Sequence, residues 1–110
     1  MKVSGHETRD LIQRAGALLR QLKDPAGASS ALSADDVLLF CYRLRDGYRI
    51  VRSSSTRFGG SSFSFLQDLL YQLESRPDET LRSSEWRSII EALLHDLATG
   101  RITVEKNVNR

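Results

Sequence analysis

Apolar residues recur every three or four positions in three segments of the chain, which is the spacing of one face of an α-helix. Each segment opens with residues that satisfy the free amides of a first turn, and each ends at a helix breaker. The predicted helices run from about Gly5 to Lys23, from a capping box at Ser64 to Arg76, and from a cap at Ser83 or Ser84 to Gly100. Their apolar faces are wide and consist mostly of leucine.

A fourth segment, residues 37–44, is apolar at almost every position and fits two structures. As a helix it has Ser33 as its N-cap and Gly47 as the left-handed residue just past its end. As a strand it would turn at Asp46 and Gly47, a favoured hairpin dipeptide, into residues 48–52. Because both helix ends carry suitable residues, we favour the helix. A helix that is apolar nearly all round is expected to be the central, buried one.

Two segments with alternating polarity, residues 48–52 and 101–105, are expected to pair as a small sheet. Residues 53–62 are rich in serine and glycine and predict a loose loop. The predicted fold class is therefore mainly α. We expect one four-helix domain over residues 1–110, packed around a central apolar helix at 34–46, with at most a two-stranded β patch.

The composition is that of an ordinary globular chain, with 40% hydrophobic and 27% charged residues. The single cysteine, Cys41, excludes an internal disulfide and a cysteine-rich metal site. No apolar run approaches the ~20 residues that cross a bilayer, and the first residues turn polar where a signal peptide needs an apolar stretch. These features favour a cytoplasmic protein that does not bind membranes.

The sequence carries no motif that indicates an enzyme. Cys41 lies in an apolar run where a packed thiol is expected, and no serine occupies a Gly-x-Ser-x-Gly turn. The only histidines, His6 and His95, are too few and too far apart to indicate a metal site. We therefore expect no catalytic residues, no metal and no cofactor, and a small enzyme of unknown type is the third-ranked hypothesis.

The most informative feature is the distribution of charge. The net charge is only +2, yet five arginines and one acid lie between residues 43 and 57. This basic segment, with two aromatic residues, gives the predicted partner-binding set: Arg43, Arg45, Tyr48, Arg49, Arg52, Arg57 and Phe58. Guanidinium groups bind carboxylates on protein surfaces and phosphates of nucleic acids, and aromatic rings stack on bases.

Three interpretations of this segment remain open. The one from which we take the predicted function is a small regulatory protein that binds a macromolecule, with an acidic protein surface as the partner. It would use the basic segment and an apolar helix face, and surplus leucine surface would make it a homodimer. The alternative is a nucleic-acid-binding protein in which the arginines contact phosphates and Tyr48 or Phe58 stacks on bases. In the third, the arginines only finish a helix and line the solvent side of a strand.

Overall fold

The computed structural model describes residues 4–23, 32–58 and 62–107, with side chains from residue 7 onward. Within these ranges five helices and two strands follow in the order α1 Ser4–Lys23, α2 Ala34–Gly47, β1 Tyr48–Ser53, α3 Leu66–Ser75, α4 Pro77–Arg82, α5 Ser84–Thr99 and β2 Ile102–Lys106. The fold is mainly α with one small sheet, which confirms the predicted fold class. Residues 24–31, and the glycine pair at 59–60 within the loop predicted at 53–62, lie outside the described residues.

The helices pack in pairs around one core. Helix α1 lies along α5, α2 lies along α3, and α4 contacts both α3 and α5, while β2 packs on α1 and α5. The guanidinium of Arg87 in α5 donates to the carbonyl oxygens of Leu22 and Leu81, at 2.9 and 3.1 Å, and so ties the end of α1 to α4. The leucines of the predicted helix faces fill the core, including Leu44, Leu66, Leu73, Leu93 and Leu97. No described helix is long and apolar enough to cross a membrane.

The ambiguous apolar run is helical, as favoured. Ser33 caps α2 by accepting a hydrogen bond from the Asp35 amide at 3.2 Å. Gly47, however, is the last helical residue and not a left-handed one, because Tyr48 continues directly into an extended strand. The helix is also open on one side: Val37, Phe40, Cys41 and Leu44 are buried, but Leu39 is 59% exposed.

One expectation around α3 is wrong, and the short helix that follows it was not predicted. The capping box at Ser64 does not form, since α3 begins at Leu66 and its N-cap, Phe65, makes no side-chain cap. A backbone turn precedes the helix instead, with the Leu66 amide donating to the Phe63 carbonyl at 2.9 Å. Beyond α3, Pro77 follows the end of one helix and is the first residue of the next. It begins α4, because the fixed φ and missing amide of proline suit a first helical position.

The predicted strands pair antiparallel, with Arg49 opposite Glu105 and Ile50 opposite Val104. Between Ile50 and Arg52 the register shifts by one residue, which makes Val51 the extra residue of a β-bulge. The side chains of Ile50, Val104 and Ile102 are buried against the helices. The opposite face of this sheet is exposed to solvent, and it carries the candidate site.

Candidate binding surface

The bulge at Val51 decides which side chains reach the exposed face of the sheet. In a regular strand Arg52 would point the same way as Tyr48 and Ile50, into the core. The bulge sets Val51 and Arg52 together opposite Thr103, so both point outward. Bulges commonly re-aim a side chain in this way near functional sites.

The second strand supplies the other half of this face. Because Ile102 and Val104 are buried, the alternation of β2 places Arg101, Thr103 and Glu105 on the solvent side. The backbone of Arg101 extends the ladder, since its carbonyl accepts from the Ser54 amide at 2.8 Å. We call the resulting surface the outer sheet face, and it comprises Arg49, Val51, Arg52, Arg101, Thr103 and Glu105.

The outer sheet face is cationic. It holds three arginines and one glutamate, a net charge of +2. The guanidinium of Arg49 pairs with the carboxylate of Glu105 across the strands. Arg52 and Arg101 are exposed and pair with no carboxylate in the described part of the chain. Val51 lies between the arginines of β1 and is 56% exposed, which adds apolar surface to the charged one.

The remaining arginines of the predicted set lie away from this face. Arg43 borders a hollow between α1 and α2. Arg45 donates two hydrogen bonds to Asp46, at 2.8 and 3.2 Å, and lies over the ring of Tyr42 at 5.0 Å. This hydrogen bonding lowers the pKa of Asp46. Arg57 is exposed in the loop after β1. The structure therefore brings together only Arg49 and Arg52 of the five, and adds Arg101, which lies outside the predicted set.

Both predicted aromatic contact residues are buried, so the structure gives no exposed ring in support of the prediction that they stack on bases. Tyr48 is 8% exposed, donates its hydroxyl to the Glu7 carbonyl at 3.1 Å, and carries the ammonium of Lys106 over its ring at 5.6 Å. Burial raises the pKa of Tyr48. Phe58 is 5% exposed and stacks on Phe65 with ring centroids 4.6 Å apart. Neither ring offers a free face to a base.

The loop after β1 contains a buried polar contact that sequence reasoning missed. The hydroxyl of Ser55 donates to Asp96 Oδ2 at 2.6 Å and accepts from the amides of Arg57 and Phe58, at 3.2 and 3.1 Å. His95 Nδ1 lies 3.5 Å from the other oxygen of Asp96. In a Ser–His–Asp triad the histidine bonds the serine hydroxyl, whereas this serine bonds the carboxylate directly. The cluster therefore acts as an anchor that fixes the loop to α5.

The remaining candidates for catalysis lie apart from one another. Cys41 is buried in α2, and burial raises the pKa of its thiol to about 12. His95 is exposed on α5. In the part of the chain that the structure describes, no three histidine, cysteine or acidic side chains converge on a possible metal position.

A hollow with a volume of about 480 Å³ lies where α1, α2 and the sheet meet. Its apolar lining comes from Leu11, Leu39, Tyr42 and Tyr48. Its lining also contains both acids and bases: Glu7, Asp10, Arg43, Asp46 and Lys106. Lys106 Nζ lies 3.6 Å from Glu7 Oε1, so part of this charge is neutralised within the chain.

Comparison of the chain with models of protein families, with curated proteins and with solved structures finds no match. Function is therefore inferred from the side chains of this chain. Two of the exposed large apolar side chains, Val51 and Leu39, lie beside charged groups, Val51 on the outer sheet face and Leu39 at the hollow.

Proposed function

We propose that this protein is a non-enzymatic binding protein that engages an acidic segment of a partner protein through its outer sheet face. The observation that carries the proposal is the pair Arg52 and Arg101, exposed on one sheet face without a carboxylate partner among the described residues. The exposed Val51 beside them supplies apolar contact area.

The chemistry of guanidinium favours carboxylates on the partner. Arginine presents a planar fork that donates two parallel hydrogen bonds to one carboxylate, and it is enriched at protein interfaces. Here the guanidinium groups of Arg52 and Arg101 extend from backbone that is hydrogen-bonded between two strands. Binding therefore costs less backbone entropy than it would if the arginines lay in an unpaired loop. Because Arg49 already pairs with Glu105, Arg52 and Arg101 are the first groups available to an incoming acid.

The buried rings weigh against the nucleic-acid alternative. Single strands are bound by combining backbone charges with aromatic platforms, and Tyr48 and Phe58 cannot serve as platforms while buried. What remains for a nucleic acid is phosphate contact from a small number of arginines. Such contact predicts weak binding, with a salt dependence proportional to the small number of phosphates contacted.

The test uses two labelled probes, a glutamate-rich peptide and single- or double-stranded oligonucleotides of equal charge, titrated by fluorescence anisotropy at two salt concentrations. The first variant combines Arg52→Glu with Arg101→Glu on the outer sheet face. The matched control combines Arg76→Glu with Arg82→Glu around α4, where both arginines are also exposed. Both variants change the net charge equally, so only position distinguishes them.

We expect the peptide to bind the wild type and the α4 control alike, and to bind the sheet-face variant at least about tenfold more weakly, a loss of about 1.4 kcal/mol. Equal weakening in both variants would mean that only net charge matters, and would overturn the proposal. Tighter binding of an oligonucleotide than of the peptide, lost in the sheet-face variant, would establish the nucleic-acid alternative instead.

A further inference from the structure

The outward side of α2 carries a charged and apolar row that the core does not use. Asp35, Leu39 and Arg43 are spaced by four residues and therefore lie along one side of the helix. All three are exposed, and Leu39 is one of the most exposed large apolar residues among those described. A single exposed leucine is common on protein surfaces, but Leu39 borders two hollows.

Leu39 stands as a ridge between two hollows. On one side is the hollow of about 480 Å³, with Leu11, Tyr42 and Tyr48 in its lining. On the other is a smaller depression lined by Arg14, Asp36 and Phe40 together with Leu39 and Arg43. An exposed apolar side chain beside a partly apolar hollow suits a two-fold interface, in which the same patch of both copies is self-complementary.

The charges of the row are symmetric about Leu39 in the way that a two-fold axis demands. Asp35 precedes Leu39 by four residues and Arg43 follows it by four. If two α2 helices cross antiparallel at Leu39, each Asp35 faces the partner's Arg43, and each Leu39 meets the hollow of the other copy. Arg43 is available for this, since it forms no ion pair with a described carboxylate.

We infer that a second copy of this chain occupies the α2 surface, forming a two-fold dimer through Asp35, Leu39 and Arg43. The inference does not depend on the proposed function, because the outer sheet face contributes no residue to it. The α2 surface has both signs of charge, which suits an identical partner. An acidic partner would instead meet repulsion from Asp35, Asp36 and Asp46.

The test exploits the reciprocity of such an interface. Arg43→Asp alone and Asp35→Arg alone each place like charges opposite one another at both ends of the contact. Mixing the two variants in equal amounts restores both attractive pairs in a heterodimer. A fourth sample carries Leu39→Asp, and its matched control is Val51→Asp, an equally exposed aliphatic residue on the sheet face. Sedimentation velocity over a range of concentrations reports the oligomeric state, and circular dichroism reports folding.

We expect a dimer for the wild type and for Val51→Asp. Each single charge variant should dimerise about tenfold to a hundredfold more weakly, with recovery in the mixture. Leu39→Asp should be monomeric with its helicity intact. A wild type that is monomeric at every concentration would overturn the inference, as would a dimer that Leu39→Asp leaves unchanged or single variants whose mixture fails to recover.

Discussion

The contact between Ser55 and Asp96 should contribute a large share of the stability of the loop that follows β1. Replacing Ser55 by alanine removes a hydrogen bond to a buried carboxylate, which is worth about 1.5–3 kcal/mol. It also takes the acceptor away from the amides of Arg57 and Phe58, of which the Phe58 amide belongs to a buried residue. Together these losses predict a destabilisation of about 3 kcal/mol, or about 15 °C in the melting temperature.

Ser54 provides the matched control one residue away. Its hydroxyl is exposed and makes only a long hydrogen bond of 3.4 Å to the Arg101 carbonyl, so Ser54→Ala should cost less than about 0.5 kcal/mol. Urea unfolding followed by circular dichroism measures both variants. If Ser55→Ala unfolded at the same urea concentration as Ser54→Ala, the buried contact would not stabilise the fold, and the assignment of this cluster as a loop anchor would be wrong.

Two further predictions concern α2. Leu44→Ala should lower the free energy of unfolding in urea by about 3 kcal/mol, because Leu44 is fully buried. Leu39→Ala should lower it by less than about 0.5 kcal/mol in dilute, monomeric protein. Similar losses for the two variants would contradict the orientation of the helix. The thiol of Cys41 has a pKa of about 12 in the folded protein against 9.0 for the free group, so only the unfolded thiol ionises between these values. The stabilisation that the buried, neutral thiol contributes is therefore complete below pH 9 and is lost progressively between pH 9 and pH 12. Relative to Cys41→Ala, the wild type should lose about 1.4 kcal/mol per pH unit from pH 9 toward pH 12, and equal slopes would refute the burial of the thiol.

The elements that the sequence predicts well are those whose signal is periodic. Leucine spacing identifies α1, α3 and α5, and alternation identifies both strands and their pairing. The caps at Ser33 and Ser83 follow from side chains that bond an amide two or three residues on. Helix α4 was missed because Pro77 was interpreted only as a breaker. Pro77 followed by two acids is also a typical first turn.

The candidate site was harder to predict, because nearness along the chain is not nearness in space. Arg43 and Arg45 belong to a helix and Arg49 and Arg52 to a strand, so the direction of the chain changes between the two pairs. Alternation could have placed Tyr48 inward with Ile50, and Arg101 outward with Thr103. The bulge that turns Arg52 outward has no comparable signature, since its extra residue, Val51, is an ordinary strand former.

The loop anchor and the outer sheet face are physically connected. Ser53, the last residue of β1, donates its hydroxyl to the Phe58 carbonyl at 3.0 Å, and Ser55 follows with its bond to Asp96. These contacts fix the chain immediately after the bulge and so hold Arg52 in register with Thr103. A surface whose backbone is already ordered loses less entropy on binding, which supports the proposal that Arg52 on the strand takes part in recognition.

The most direct test of the central claim is an affinity purification from the native cell followed by mass spectrometry, comparing three baits. These are the wild type, the sheet-face variant with Arg52→Glu and Arg101→Glu, and the α4 control with Arg76→Glu and Arg82→Glu. The account predicts a protein with an acidic segment that is recovered with the wild type and with the α4 control but is absent with the sheet-face variant. Recovery of the same proteins with all three baits would contradict it.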